Sequence, residues 1–208
     1  MSTQAAQAIA ANKLADTHPN VHELIRKRWS PRAFSSQDIS NEDLKAILEA
    51  GRWAASSYNE QPWRFFVAKR SDPAAFEKFL SVLMPANQVW ARNAAALIIT
   101  AAKRNFSHNG SENYHALHDA GQALAYVMLQ ATALGLHAHA MAGFDHAKAR
   151  TEIGIPSDYD IGAAVALGYI GDPEQLSEQA KKMELGPRTR KPLNEIAFGS
   201  HWGEALQL

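Results

Sequence analysis

Apolar positions alternate along the chain between two rhythms, one of about 3.6 residues and one of two. The helical rhythm comes first. Asn20 with Glu23 three residues later predicts a capped short helix carrying Val21, Leu24 and Ile25, and Ser40 with Asp43 predicts another carrying Leu44, Ile47 and Leu48 and ending near Gly51. Asp72 and Pro73 offer an N-cap and a first-turn proline, after which Phe76, Phe79, Leu80 and Leu83 form an apolar stripe that reads as core. A long central helix is expected from near Ser111 through Leu117, Leu124, Val127 and Met128 to a stop at Gly135, and a shorter one from Asp145 to Ile153, closed by Gly154.

Four apolar or alternating runs predict strands: Arg64 to Ala68, Ala95 to Ala101, His137 to Met141, and Ala163 to Ile170. Helices and strands interleave without a repeat or a long linker. The expectation is one α+β domain over residues 20–208, with a mixed central β-sheet flanked by helices. Residues 1–19 read as a flexible N-terminal segment. From Gly171 the chain turns polar and loses periodicity, so 171–208 is expected to be an irregular tail.

The composition narrows the classes of function. With 21 basic and 21 acidic side chains, the formal net charge is zero, and there is no global field for holding a nucleic-acid backbone. No apolar run approaches the ~20 residues needed to cross a bilayer. The alanine-rich start lacks the basic and greasy regions of a secretory signal. Zero cysteines exclude disulfides and thiolate metal sites, which fits a cytoplasmic protein. His115 and His118 share a helix face and His137 and His139 a strand face, but isolated histidines on amphipathic elements are more often satisfied polar residues, and no metal site is expected. Glycine motifs of dinucleotide folds and P-loops are absent, as are His-Glu-x-x-His and Gly-x-Ser-x-Gly.

Three separated segments have side chains suited to one ligand. Arg28-Trp29-Ser30-Pro31-Arg32 offers two guanidinium forks around a hydroxyl, a set that matches the acceptor oxygens of a phosphate. Ala54 to Trp63 is a polar loop containing Ser56, Ser57, Asn59 and Gln61, with Pro62 holding the strand entrance extended. Arg188-Thr189-Arg190-Lys191 is a second basic fork in the tail. Each is weak alone, since a charge run is usually a solvated face. Their order and content together resemble the flavin-dependent nitroreductase family, which has an early Arg-x-Ser-x-Arg/Lys, a following Ser-Ser-x-Asn-x-Gln-Pro-Trp and a late Arg/Lys-x-Arg. Asn87-Gln88-Val89-Trp90 and Met141-Ala142-Gly143-Phe144-Asp145 are similar to two further segments of that family, so the resemblance spans about residues 20–203.

The resemblance implies a nitroreductase-like fold, a bound FMN, and NADH or NADPH as co-substrate in a ping-pong hydride transfer to nitroaromatics, quinones or related acceptors. It implies that Arg28, Ser30, Arg188 and Arg190 clasp the FMN phosphate, in the segment that also holds Trp29. Arg32 would face the pyrimidine end of the ring, and Asn87 would meet the ring or the ribityl chain. Ser56, Ser57 and Asn59 would reach the flavin from a neighbouring subunit, with Gln61 orienting their loop. Ala142 and Gly143 would present backbone near the ring, and no acid–base residue is assigned. Trp63 is expected to be core packing.

A homodimer follows from a shared site, with the 171–208 tail wrapping the partner; no nucleic acid or membrane is implied. The family's pattern is broken twice. Ala55 stands where many members have proline, and Trp90 where some have lysine, so Trp90 is expected either to line the acceptor pocket or to pack on the long helix. Other flavin chemistry on the same scaffold (reductive dehalogenation, enone or aldehyde reduction, flavin breakdown) and a non-catalytic FMN-binding protein are the alternatives.

Overall fold

The computed structural model describes residues 12–207. Four strands, β1 (Trp63–Lys69), β2 (Ala96–Lys103), β3 (His137–Met141) and β4 (Tyr159–Gly168), form one sheet in the order β1-β2-β4-β3. Every neighbouring pair in it is antiparallel. The α+β class holds, but the expected mixed sheet is corrected to an antiparallel one. Periodicity reports which face of a strand is buried and carries no information on its direction, which is decided by how the helical connections return.

The central strand β2 is buried along almost its whole length, because both faces of the sheet are covered. Leu97, Ile99 and Ala101 point to one side, where α3 (Pro73–Val82), α4 (Pro85–Ala91) and α6 (His146–Ile153) pack. Ala96 and Ile98 point to the other, against Ile47 of α2 (Asn41–Arg52) and Val127 and Ala131 of α5 (Ala116–Ala133). A strand with two dry faces needs apolar residues at every position, which is why this run shows no alternation.

Caps act largely where the sequence places them. Ser40 accepts from the Asp43 amide, Asp72 from Ala75 ahead of Pro73, and Asp145 from Lys148, while Gly154 ends α6 with φ of 74°. At α1 (Glu23–Lys27), however, the cap is His22, whose Nδ1 accepts from the Leu24 amide, and not Asn20. The central helix α5 begins at Ala116, five residues after Ser111, because Asn113 accepts from the His115 amide and holds a turn there. Trp63 is buried among Ala54, Ala102, Ala116 and Ala123, as core packing.

The tail is less irregular than its composition suggests. Ser177 caps a helix, α7 (Glu178–Leu185), whose one buried residue is Glu184. Of the segment expected to be flexible, residues 1–11 lie outside the described residues; within 12–19, Lys13 is buried and the Ala15 amide donates to Arg26 O. No helix among the described residues is long and apolar enough to cross a membrane.

Candidate functional site

The Arg28–Arg32 segment leaves α1 and leads into Ala33 to Ser35, which run antiparallel to the chain that follows β4. Phe34 bridges Ile170, the Ser35 amide donates to Tyr169 O, and the Gly171 amide donates to Ala33 O. A Cβ on Gly171 would lie 2.3 Å from the Phe34 carbonyl, so only glycine allows this approach. From inside, Glu184 of α7 fixes the same segment. Its carboxylate accepts the Arg32 amide at 3.0 and 2.9 Å and the Ala33 amide at 3.1 Å. Burial pushes the Glu184 carboxyl up from the ordinary range, and the two amide donors oppose that shift.

α7 also brings the tail to this place. Arg28, Trp29, Ser30, Arg32, Arg188 and Arg190 line one polar cavity of about 190 Å³, together with Lys13 and Glu184. Residues separated by some 160 positions thus share one wall. Arg28 Nη1 lies 3.2 Å from Ser30 Oγ, on which it donates. Burial depresses the Arg28 guanidinium first, and the charges of Arg188 and Arg190 add to it. Arg188 is depressed likewise, by burial and by Arg190. Burial is the larger cause of both shifts, and the neighbouring guanidinium charges add to it.

The cations differ in what they have left to give. Of the five N–H donors of Arg188, Nη1 spends two on the carbonyls of Lys13 and Arg26 and Nη2 spends one on that of Arg28. Arg188 is therefore first a staple joining three segments, with Nε and one Nη2 hydrogen available to a ligand. Arg190 donates only to its neighbour Thr189 and is exposed.

Asn87 and Gly143 meet directly. Asn87 Nδ2 donates to Gly143 O at 2.9 Å, and the Met84 amide donates to the same oxygen. A Cβ at Gly143 would lie 2.7 Å from Asn87 Nδ2, so any side chain there would push the Asn87 amide away. Ala142 beside it is exposed. One Asn87 Nδ2 hydrogen is thus committed to backbone, and the second hydrogen and the oxygen remain for a ligand. Trp90, one turn further along α4, is buried and stacks on Phe34 (6.3 Å) and His139 (4.8 Å). It lies on the sheet face opposite the long helix, which corrects the expected packing against that helix, and it lines no part of the cation cavity.

His139 joins the two groups of residues. Its Nδ1 lies 2.9 Å from Pro31 O, so this nitrogen carries the hydrogen and donates. Burial pushes both His139 and His137 down to about 4, with the Arg28 charge adding to each. His137 packs edge-on against Trp29, and neither His137 Nδ1 nor Trp29 Nε1 finds a hydrogen-bond partner among the described residues. His115, at the N-cap of α5, and His118 do face each other, 6.0 Å between rings, but His118 pairs with Asp119.

Ser56, Ser57, Asn59 and Gln61 form a compact loop that does not line the cation cavity of its own chain. Three of its non-glycine residues have positive φ: Tyr58 (51°), Asn59 (55°) and Gln61 (51°). Asparagine tolerates that region, but tyrosine and glutamine do so at a cost of about 1–3 kcal/mol each, and such strain gathers where function fixes a shape. The loop is held by Ser56 Oγ, which accepts the Gln61 amide, and by Asp119 of α5, which accepts the Ser57 amide at 2.9 Å. Asp119, Glu184 and Lys13 belong to no motif. For Asp119 the only available signal was a carboxylate on an otherwise apolar helix face, and for Glu184, on a polar helix, there was none.

The chain is similar to known proteins over most of its length. The model of the Nitroreductase family matches residues 25–169. A solved structure described as an oxidoreductase containing FMN is 34% identical, with a TM-score of 0.85, covering 92% of this chain and 96% of the other. The uncharacterized 15.4 kDa protein of the ask 5' region of Mycolicibacterium smegmatis is 34% identical over 149 residues, 69% of this chain and 99% of that protein. An NADH dehydrogenase of Thermus thermophilus is 31% identical over 176 residues, 69% of this chain and 83% of that one.

Proposed function

Because the chain belongs to the nitroreductase family, we propose that it is an FMN-dependent oxidoreductase that takes hydride from NADH or NADPH and delivers it to small oxidised acceptors such as nitroaromatics or quinones. The observation that carries this reading is the cavity where Arg28, Ser30 and Arg32 meet Arg188 and Arg190. Its walls suit a phosphate dianion: forked donors, a hydroxyl, and guanidinium groups whose mutual repulsion an anion would relieve. The structural relative described as containing FMN supports the choice of flavin.

When bound, FMN supplies a ring that accepts hydride from one partner and yields it to the next, so a single pocket serves both in ping-pong fashion. The chain's own residues bind and orient. Arg28, Ser30 and Arg190 hold the phosphate, and Arg188 gives its two remaining donors while stapling the cavity together. Arg32, clamped through its amide by Glu184, presents a cation for the charge that reduction places on the pyrimidine end. Asn87 fixes the Gly143 turn through its amide; it would offer its remaining groups to the flavin, and Ala142 and Gly143 would present backbone to the ring. Arg28, Arg188 and Asn87 are already held by neighbours before any ligand arrives, which lowers the entropy lost on binding.

We further propose a homodimer in which Ser56, Ser57 and Asn59 complete the site of the partner subunit. The strained loop stands away from its own chain's cavity, and large apolar side chains lie open to solvent, among them Tyr58, Tyr114, Ile196 and Trp202. A cytoplasmic setting suits a chain without cysteine.

The test is an absorption spectrum of protein purified without added flavin. We expect a flavin band, a particle of twice the chain mass, bleaching by anaerobic NADH or NADPH, and return of the band when a quinone is added. Replacing Arg28 and Arg190 together with alanine should abolish retention of the flavin. Protein that binds no FMN, or holds it unreduced by either nucleotide, would sink the proposal.

A further inference from the structure

A lysine outside every motif stands in the cation cavity. Lys13 is 4% exposed and lines the wall shared by Arg28, Ser30, Arg32, Arg188 and Arg190. Its ammonium donates to Gly186 O and lies 5.2 Å from the centroid of the Trp29 ring. An ammonium has three donors. Among the described residues no carboxylate comes within 4.0 Å of it, and the carboxylate felt most strongly, that of Glu184, already accepts two backbone amides. Two donors of a buried charge thus remain without a strong acceptor.

Such a charge is costly to bury unless a counter-charge completes it. Burial indeed pushes the Lys13 ammonium down from its ordinary range; the Glu184 charge opposes that shift, and the Arg188 charge adds to it. The neighbouring walls are mostly cationic, so the missing partner is an anion entering the cavity. The lysine is also held in place through its backbone. Arg188 donates to Lys13 O, and the Ala15 amide donates to Arg26 O, so the strand of chain around Lys13 is strapped to both halves of the site.

We propose that Lys13 is a further binding residue for the phosphate group of the flavin, and that an occupied cavity thereby fastens the N-terminal strap across the site. This rests on the FMN reading above. Riboflavin has the same ring as FMN without the phosphate, so comparing the two isolates the phosphate's share.

Full-length protein stripped of flavin is titrated with FMN and with riboflavin, following flavin fluorescence. Wild type should prefer FMN strongly. K13M should lose about 10-fold or more in FMN affinity, the worth of one charge-assisted hydrogen bond, and nothing for riboflavin, while K13R keeps most of the preference. In hydrogen exchange, FMN should slow the Ala15 amide in wild type and not in K13M. Unchanged FMN affinity in K13M overturns the proposal. So does an equal loss for both flavins, which would mark Lys13 as packing alone. If K13M instead keeps FMN affinity but loses protection of Ala15 by inorganic phosphate, the lysine serves a free anion and the proposal is again overturned. Wild type that does not distinguish FMN from riboflavin defeats the phosphate reading itself, before any variant is made.

Discussion

Glu184 shows how much one buried side chain can decide. It is 2% exposed, on the inner face of a short helix, and it is the acceptor for two backbone amides of the segment that carries Arg32. Its replacement by alanine would leave both amides buried without an acceptor. The expected cost is about 2–5 kcal/mol, read as a lowered denaturant midpoint, with weaker FMN retention because Arg32 loses its anchor. E184Q keeps one oxygen to accept and should lose less on both measures. Equal stability of E184A and wild type would show that water takes over both amides. Arg188 is the converse case: a residue whose charge suggests a ligand contact, but whose donors go first to three carbonyls of its own chain.

Between elements, the principal tie is that of the Ser56–Gln61 loop to α5. Asp119 is buried and accepts the Ser57 amide, while Tyr58 and Gln61 hold strained dihedrals. Removing the acceptor should let the loop relax toward ordinary φ values. D119A is expected to speed amide exchange across Ser57 to Gln61 and to weaken flavin binding by about 10-fold, whereas stability falls by only about 1–3 kcal/mol. D119N, which retains an oxygen, should sit between. Unchanged exchange in D119A would mean that the Ser56 hydroxyl alone sets the loop. The same scale explains the glycine after β3: the turn, α4 and Asn87 close on one carbonyl, and the missing Cβ makes room for the amide.

At the scale of the whole molecule, the two histidines of edge strand β3 set the acid limit. In the fold His137 and His139 stay neutral until about pH 4, whereas unfolded histidine takes up a proton near 6.5. The unfolded chain therefore binds more protons across that window, and stability must fall as pH drops through it. A shift of this size corresponds to roughly 3 kcal/mol for the buried His137 and less for His139, which is partly open to solvent. Glu184 works in the opposite sense, since its raised carboxyl favours the fold when protonated, and it softens the loss. Unfolding midpoints measured from pH 7 to 4 should decline, and His137→Asn should flatten the decline. A midpoint independent of pH in wild type would contradict the neutral, buried state of both rings.

The elements and much of the candidate site were legible in the residues alone. Local rules suffice for a cap such as Ser40, Asp72 or Asp145, for a strand such as His137–Met141, and for the polarity of Arg28 to Arg32, because each depends on neighbours only a few positions away. Strand direction, the antiparallel order β1-β2-β4-β3, the helix around Glu184 and the packing of Trp90 on Phe34 and His139 were not legible. They depend on contacts between distant parts of the chain, and α7 has too few apolar residues to show a helical stripe. The sequence by itself determined which residues are charged, apolar or able to cap, and hence the helices and strands whose local pattern is strong. Only the tertiary structure decided that Lys13, Arg28 and Arg190 share one cavity, since burial and electrostatic coupling are properties of separation in space, which one-dimensional order does not contain.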